Sequence, residues 1–315
     1  MGKLKALLLT EGMHGMISQV EGMAKALNTE YSHKIVRLSF PWNLIPPKFT
    51  PVSDVILADK TYLTEGEAPS LIISCGRKSV IPSILLKKKN PKIFTIHIQD
   101  PKVGFKNFDA IIAPEHDNLN GDNVYSSKGA IHYITESEIE KAKPYLINKI
   151  NSQKVVSLIL GGPNRYYSFD QDQLIQIFNK IKSNFISEGY KVIIIPSMRT
   201  PKAIIEFAKK EMSSCGHIVN SVDKQAYLSA YALANYVVVT CDSTSMISEA
   251  ATSGKPIFVA HMKAKRNNYR FKRFFELFKK IGITRDLGEK VETWTYNKHN
   301  EAQRIATELK SKIKN

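Results

Sequence analysis

At 315 residues, with 43% apolar and 23% charged side chains, the chain has an ordinary globular composition and about twice the usual single-domain length. No stretch approaches the roughly 18 consecutive apolar residues of a membrane span, which sets aside the helical membrane class. The formal charge of +16 comes from 45 basic and 29 acidic residues, yet only nine of the basic ones are arginine. Scattered lysines without a cluster of Arg and aromatic side chains argue against nucleic acid and leave an anionic membrane surface as the polyanion to consider. The cysteines, Cys75, Cys215 and Cys241, form no CxxC pair, so neither a disulfide scaffold nor a thiolate zinc site is expected, and the compartment reads as reducing and cytoplasmic. The start, basic and then briefly apolar, reads as a first strand rather than a signal peptide.

Short apolar runs alternate with helical patterns, the signature of parallel α/β sheets whose strands are buried on both faces. Strands are expected at 4–9, 33–38, 71–74, 93–98, 110–113 and 131–133, with helices over 16–27 and 81–89. The loop after the first strand carries Gly12 and Gly15, with Gln19 a turn into the helix. Ligands lie off the carboxyl ends of strands in open sheets, so this loop faces a candidate site. Its GxxG spacing lacks the GxGxxG pattern and the acidic end of the second strand that a dinucleotide requires, so no nicotinamide cofactor is expected. The third strand leads into Gly76-Arg77-Lys78-Ser79, where a helix start and an arginine together suit an anion. After later strands come Gln99-Asp100-Pro101 and Pro114-Glu115-His116-Asp117, which offer Asp100, Glu115 and His116 as general-base candidates.

A polar helix over 138–153 closes this first domain, and a buried run at 155–160 opens a second. Strands follow at 191–195, 217–219, 237–240 and 256–259, and helices at 173–187, 201–212, 224–234 and 245–253. Three loops stand out. Gly161-Gly162-Pro163-Asn164 follows the first strand, where glycines would let backbone amides approach a phosphate. Ser197-Met198-Arg199-Thr200 follows the next. Asp242-Ser243-Thr244-Ser245 opens a helix that carries Glu249 four residues after Ser245, so hydroxyls and amides could hold a diphosphate and the carboxylate could grip ribose hydroxyls. Asp170-Gln171-Asp172 sits at a helix start, where acids are expected for capping alone, and the eight histidines show no ligand spacing, so no metal is expected. Residues 266–281 form a basic amphipathic helix whose four phenylalanines read as core-facing, and 300–313 a final amphipathic helix. The division is thus two Rossmann-like domains, 1–148 and 154–297, with 298–315 as a helix that could return to cap the first.

Glu11-Gly12-x-x-Gly15-x-x-x-Gln19-x-x-Gly22, Cys75-Gly76-Arg77, Gln99-Asp100-Pro101, Pro114-Glu115-His116-Asp117, Gly161-Gly162-Pro163, Ser197-Met198-Arg199-Thr200-Pro201 and Asp242-Ser-x-Ser245-Met246-x-Ser248-Glu249-Ala250 occur in one order and cover nearly the whole chain. In this the chain resembles the mitochondrial-fission ELM family, named for a plant member and widespread in bacteria. The resemblance implies a GT-B-type arrangement with an interdomain cleft, a nucleotide-sugar donor held by the second domain, a glutamate on the ribose at Glu249, and a C-terminal helix that returns to the first domain. Met16 departs from the His or Asn that bacterial relatives often carry there, so the resemblance does not choose among the base candidates.

The function expected is therefore a metal- and cofactor-independent glycosyltransferase that uses a nucleotide-diphosphate sugar and a hydroxyl acceptor, such as a membrane glycolipid or lipopolysaccharide core. Its donor would lie on Gly161, Gly162, Asn164, Ser197, Arg199, Thr200, Asp242, Ser243, Ser245 and Glu249. Its acceptor side would be formed by Gly12, Gly15, Gln19, Gly76, Arg77 and Gln99. Basic charge would hold it on the inner face of a membrane. The alternatives are a non-catalytic peripheral protein that binds a partner and a sugar-nucleotide epimerase of the same fold.

Overall fold

The computed structural model describes residues 4–60, 68–288 and 291–313. The chain divides into two compact units, Met1–Tyr133 with Glu301–Asn315, and Ile134–Asn300. Among the described residues no helix is long and apolar enough to cross a membrane.

In the first unit, strands β1 (Lys5–Thr10), β2 (Glu30–Ile35), β3 (Leu71–Cys75), β4 (Phe94–Ile98), β5 (Ala110–Pro114) and β6 (Val124–Ser127) form one parallel sheet in the order β2-β1-β3-β4-β5-β6. Successive residues of a strand face opposite sides, so Ala6 and Leu8 join one core layer and Leu7 and Leu9 the other. Helices α1 (His14–Ala26) and α10 (Glu301–Ile313) cover the first layer through Val20, Met23, Ile305 and Leu309. Helix α2 (Val80–Lys89) covers the second through Ile81, Ile84 and Leu85. The start of α10 is pinned by buried Glu301, which accepts the Lys128 amide at 2.8 Å and pairs with Arg304 at 2.6 Å.

Two expected strands differ from the observed ones. The strand expected at 131–133 is absent, and β6 lies earlier, paired with β5. Residues 132 and 133 instead press on α1, where a side chain at Gly22 would come within 2.3 Å of the His132 carbonyl. The strand expected at 33–38 runs from Glu30 to Ile35 as an exposed edge, and Leu38 bridges to Leu57 instead.

In the second unit, β7 (Val155–Leu160), β8 (Lys191–Pro196), β9 (Gly216–Ile218), β10 (Tyr236–Thr240), β11 (Ile257–Ala260) and β12 (Thr284–Asp286) form a parallel sheet in the order β12-β11-β10-β7-β8-β9. Helices α5 (Gln171–Asn184) and α6 (Lys202–Met212) bury Leu174, Phe178, Ile204 and Ala208 against the face that carries Leu158 and Val238. Asp170 caps α5 by accepting the Gln173 amide, and Asp172 lies in its first turn. Helix α9 (Tyr269–Lys280) buries Phe274 and Phe278 completely, while Phe271 stacks edge-on against Tyr167.

The polar helix expected over 138–153 is two helices, α3 (Glu136–Ala142) and α4 (Pro144–Ile150), with proline at the first position of the second. Both belong to the second unit, so the division falls between residues 133 and 134 rather than between 148 and 154. The cause is helix α7 (Lys224–Leu233), on which they pack. Ser229 of α7 donates to the Lys143 carbonyl at 3.1 Å and accepts the Leu146 amide at 3.1 Å, bonding to the chain on both sides of Pro144.

Candidate functional site

In the second unit the connections run outward in opposite directions from the adjacent strands β7 and β10, which makes the space beyond their carboxyl ends a topological switch point. Three expected loops meet there. Asp242, 3% exposed, accepts the Thr240 hydroxyl at 2.7 Å, the Gly162 amide at 3.1 Å and the Arg199 guanidinium at 2.7 Å. Burial raises its carboxyl above the ordinary aspartate value, against the opposing effects of Arg199, Thr240 and the Gly162 amide. Arg199 also donates to the Gly162 carbonyl at 3.0 Å, and Asn164 to the Asp242 carbonyl at 2.9 Å. Thr200 donates to the Leu160 and Gly161 carbonyls, and its oxygen accepts the Ser197 amide at 2.8 Å.

The two glycines serve a different purpose from the expected one. The Gly161 amide is bonded to the Thr240 hydroxyl at 2.8 Å and the Gly162 amide to Asp242, so both face protein. A side chain at Gly161 would lie 2.1 Å from the Asp242 carboxylate, and one at Gly162 2.0 Å from the Arg199 carbonyl. They are glycine because three loops close on each other here.

Helix α8 (Thr244–Ala251) starts beside this cluster. Ser243 caps it by accepting the Met246 amide at 3.3 Å, and Ser243, Thr244 and Ser245 are all partly exposed. The amides of the first helical turn lack carbonyl partners within the helix, and the helix dipole adds positive potential, so this end suits an anion. Glu249, one turn further, accepts the Tyr227 hydroxyl of α7 at 2.5 Å. Although part of the residue reaches the surface, its carboxyl is enclosed by protein, and burial pushes its pKa up to about 7 despite that hydrogen bond. Burial and the Glu249 charge push the Tyr227 hydroxyl well up, which keeps it a donor.

In the first unit the switch point lies between β1 and β3. Glu11 accepts the Lys78 amide at 3.1 Å, tying the loop after β1 to the one after β3. Gly12 and Gly76 both have positive φ, at 85° and 94°, and a side chain at Gly76 would meet the Met16 sulfur at 2.7 Å. Gly15 has open space above it. Gln19 accepts from the Cys75 thiol at 3.5 Å and the Gln99 amide at 3.4 Å. Thus Gly12, Gln19, Gly76 and Gln99 gather at the strand ends. Arg77 turns elsewhere: its guanidinium donates to the carbonyls of Asn43, Leu44 and Ile45 at 2.6, 3.2 and 3.1 Å.

Asp100 accepts the Lys102 amide at 2.9 Å and its ammonium at 2.5 Å. Burial opposes ionisation of Asp100, but the two Lys102 hydrogen bonds outweigh it and hold the carboxyl below the ordinary range. Glu115 and His116 occupy a single helical turn after β5, with the His116 ring 3.7 Å from Asp117.

A cavity of about 800 Å³ also opens in the second unit. It is lined by Tyr167, His261, Arg266, Asn268, Lys272 and Asp286 among others, none of them singled out from the sequence. It adjoins the loop cluster on the β11 side, where the Met262 amide donates to the Cys241 sulfur at 3.2 Å.

A family model of mitochondrial fission ELM1 proteins matches residues 14–313. An uncharacterised protein of Rickettsia prowazekii is 29% identical over 294 residues, covering 78% of this chain and 80% of that protein. The mitochondrial fission protein ELM1 of Arabidopsis thaliana is 25% identical over 290 residues, covering 82% of this chain and 67% of that protein. Among solved structures, a UDP-GlcNAc 2-epimerase of Methanocaldococcus jannaschii aligns over 98% of this chain and 99% of its own, at 15% identity and TM-score 0.55. A spinosyn forosaminyltransferase aligns over 99% and 95%, at 11% identity and TM-score 0.52. At these identities the likeness is one of fold: the GT-B type of nucleotide-sugar epimerases and glycosyltransferases.

Proposed function

We propose that this chain, which belongs to the mitochondrial fission ELM1 family, is a metal-independent glycosyltransferase that moves a sugar from a nucleotide-diphosphate sugar to a hydroxyl acceptor. The observation that carries this is α8, whose start offers three partly exposed hydroxyl residues beside the switch point and whose next turn holds Glu249 on Tyr227. The diphosphate would meet Ser243, Ser245 and the first-turn amides, and Glu249 the ribose hydroxyls. Arg199 uses one donor on Asp242 and one on Gly162, which fixes its guanidinium and leaves further N–H groups to stabilise the leaving diphosphate. Gly161, Gly162, Asn164, Thr200 and Asp242 act by holding these loops in register.

An acceptor hydroxyl attacks the anomeric carbon, the bond from that carbon to the diphosphate oxygen breaks, and the hydroxyl proton passes to a general base. Lys102 makes Asp100 a weak base by stabilising its charge, which favours Glu115 or His116 for this role. The acceptor we favour is a membrane glycolipid or lipopolysaccharide core, met at the cytoplasmic face where the net charge of +16 draws the protein to anionic lipid.

Thermal stabilisation by a panel of nucleoside diphosphates and their sugars tests this directly, since a ligand that binds only folded protein raises the melting temperature. A selective shift that Glu249→Ala abolishes is expected. No shift with any of them would favour a non-catalytic peripheral protein, and conversion of a donor sugar with no acceptor present would identify an epimerase.

A further inference from the structure

The loop that Arg77 holds has no part in the donor chemistry above, yet it gathers three of the exposed large apolar side chains found among the described residues of the first unit. Phe40, Leu44 and Phe49 are 79%, 70% and 70% exposed, a costly display for side chains that elsewhere fill the core. The display is ordered. Trp42 and Val52 pack inward against the layer that carries Ile56 and Ile84, and the loop doubles on itself through the Asn43 amide on the Ser39 carbonyl and the Leu44 amide on the Pro41 carbonyl.

Part of its backbone is already paired within the protein. Pro41, Pro46 and Pro47 carry no N–H. The carbonyls of Asn43, Leu44 and Ile45 accept from Arg77, and those of Pro46 and Pro47 accept the Phe49 and Thr50 amides. Pairing of these groups within the protein lowers the cost of withdrawing the segment from bulk water and suits it to the polar–apolar boundary of a bilayer rather than to the acyl core. Charge agrees. No acidic residue occurs from 31 to 53, and exposed Arg37 and Lys48 flank the apolar tips, with the Lys48 ammonium 5.8 Å from the Phe49 ring.

We propose that residues 40–49 form a membrane-interface anchor, in which Phe40, Leu44 and Phe49 enter the acyl boundary of an anionic leaflet while Arg37 and Lys48 meet its headgroups. Apolar burial and charge attraction together give reversible binding of the kind either alone supplies only weakly. The anchor deepens the peripheral placement proposed above and is independent of catalysis, because vesicle binding and donor binding are measured separately.

Co-sedimentation of the full chain with phosphatidylcholine vesicles, with and without phosphatidylglycerol, tests it. The native chain should partition onto the anionic vesicles. Phe40→Ser/Leu44→Ser/Phe49→Ser should lower that partition at least about tenfold with an unchanged melting temperature. Arg37→Glu/Lys48→Glu should weaken binding to the anionic vesicles more than to the neutral ones. With Trp42 replaced by Phe so that the loop holds no other indole, the one introduced by Phe49→Trp should be quenched by brominated acyl chains, a readout that does not require the triple variant to fold. Undiminished binding by the triple variant, or an unquenched indole, overturns the proposal. So does a native dimer that the triple variant dissolves, which would make the loop an interface between copies.

Discussion

Replacing Glu249 by glutamine separates the energetics of the buried carboxylate from its proposed function. Burial moves this carboxyl from an ordinary value of 4.5 to about 7. At 1.36 kcal/mol per unit, the folded state then favours the protonated form by about 3 kcal/mol relative to the unfolded chain. The raised folded value means the folded state binds the proton more tightly, so native stability falls as pH rises from about 4.5 to about 7 and levels off above. Glutamine matches the neutral acid in shape and can still accept the Tyr227 hydroxyl through its carbonyl oxygen. Glu249→Gln should therefore equal the native protein in stability near pH 4.5 and exceed it by up to about 3 kcal/mol above pH 8. Denaturant unfolding of the second unit, followed through Trp294, which packs edge-on against buried Phe258, measures this. The same variant should bind a nucleoside diphosphate sugar more weakly, since an amide grips a vicinal diol less well than a carboxylate. A stability difference that does not change with pH would refute the burial argument, and unchanged donor affinity would refute the site.

Three further outcomes follow from the geometry. Gly161→Ala should destabilise the second unit by about 2 kcal/mol or more, because its Cβ would overlap the Asp242 carboxylate, whereas Gly15→Ala, with open space above it, should be nearly neutral in thermal melts. Arg77→Ala should lower stability by about 1 kcal/mol and expose residues 40–49 to limited proteolysis with chymotrypsin, because three carbonyls lose their donor. His97, 1% exposed and bonded to Ser74 at 2.9 Å, has its pKa lowered by burial to about 3, so the first unit should lose stability as pH falls from about 6.5 toward 3. His97→Gln should flatten that acid slope in unfolding measured across the range, and an unchanged slope would place its origin elsewhere.

Strands buried on both faces were legible because short, β-branched apolar runs such as Val155-Val-Ser-Leu-Ile-Leu160 and Val237-Val-Val-Thr240, set between helical patterns, suit central parallel strands. The exposed edge strand β2 carries polar side chains in four of its six positions, and β6 and β12 are four and three residues long, so their apolar signal is too short to place. At the candidate site, the loop Asp242-Ser243-Thr244-Ser245 was legible as a helix start because a hydroxyl run between a buried strand and a helix is where an N-cap falls, as Ser243 does. Tyr227 was not, since Ala226-Tyr-Leu-Ser-Ala-Tyr-Ala-Leu233 reads as a core-facing helix face. The partners of charged side chains were equally hidden. Arg77 bonds carbonyls 32 to 34 residues away and Arg199 a carboxylate 43 residues away, and no local pattern records either.

Both arginines have protein partners that the sequence did not reveal. Both follow strands, both are scarce in a lysine-rich chain, and both were natural anion receptors from sequence alone. Arg77 instead closes the backbone of the apolar loop, which assigns it to the surface that loop presents. Arg199 binds Asp242 and the Gly162 carbonyl, and the same Asp242 takes the Gly162 amide and the Thr240 hydroxyl, so one buried carboxylate ties the loops after β7, β8 and β10 together. Its next residue, Ser243, caps α8. Through that covalent step, the position of the helix start is set by a network that need not touch a ligand. Preorganised donors are worth more than mobile ones because no reorganisation is required when charge develops. Loss of Asp242 should therefore weaken donor binding through displacement of Ser243 and release of Arg199, and Asp242→Asn, which keeps the size but removes the charge that holds the guanidinium, should weaken it less than Asp242→Ala.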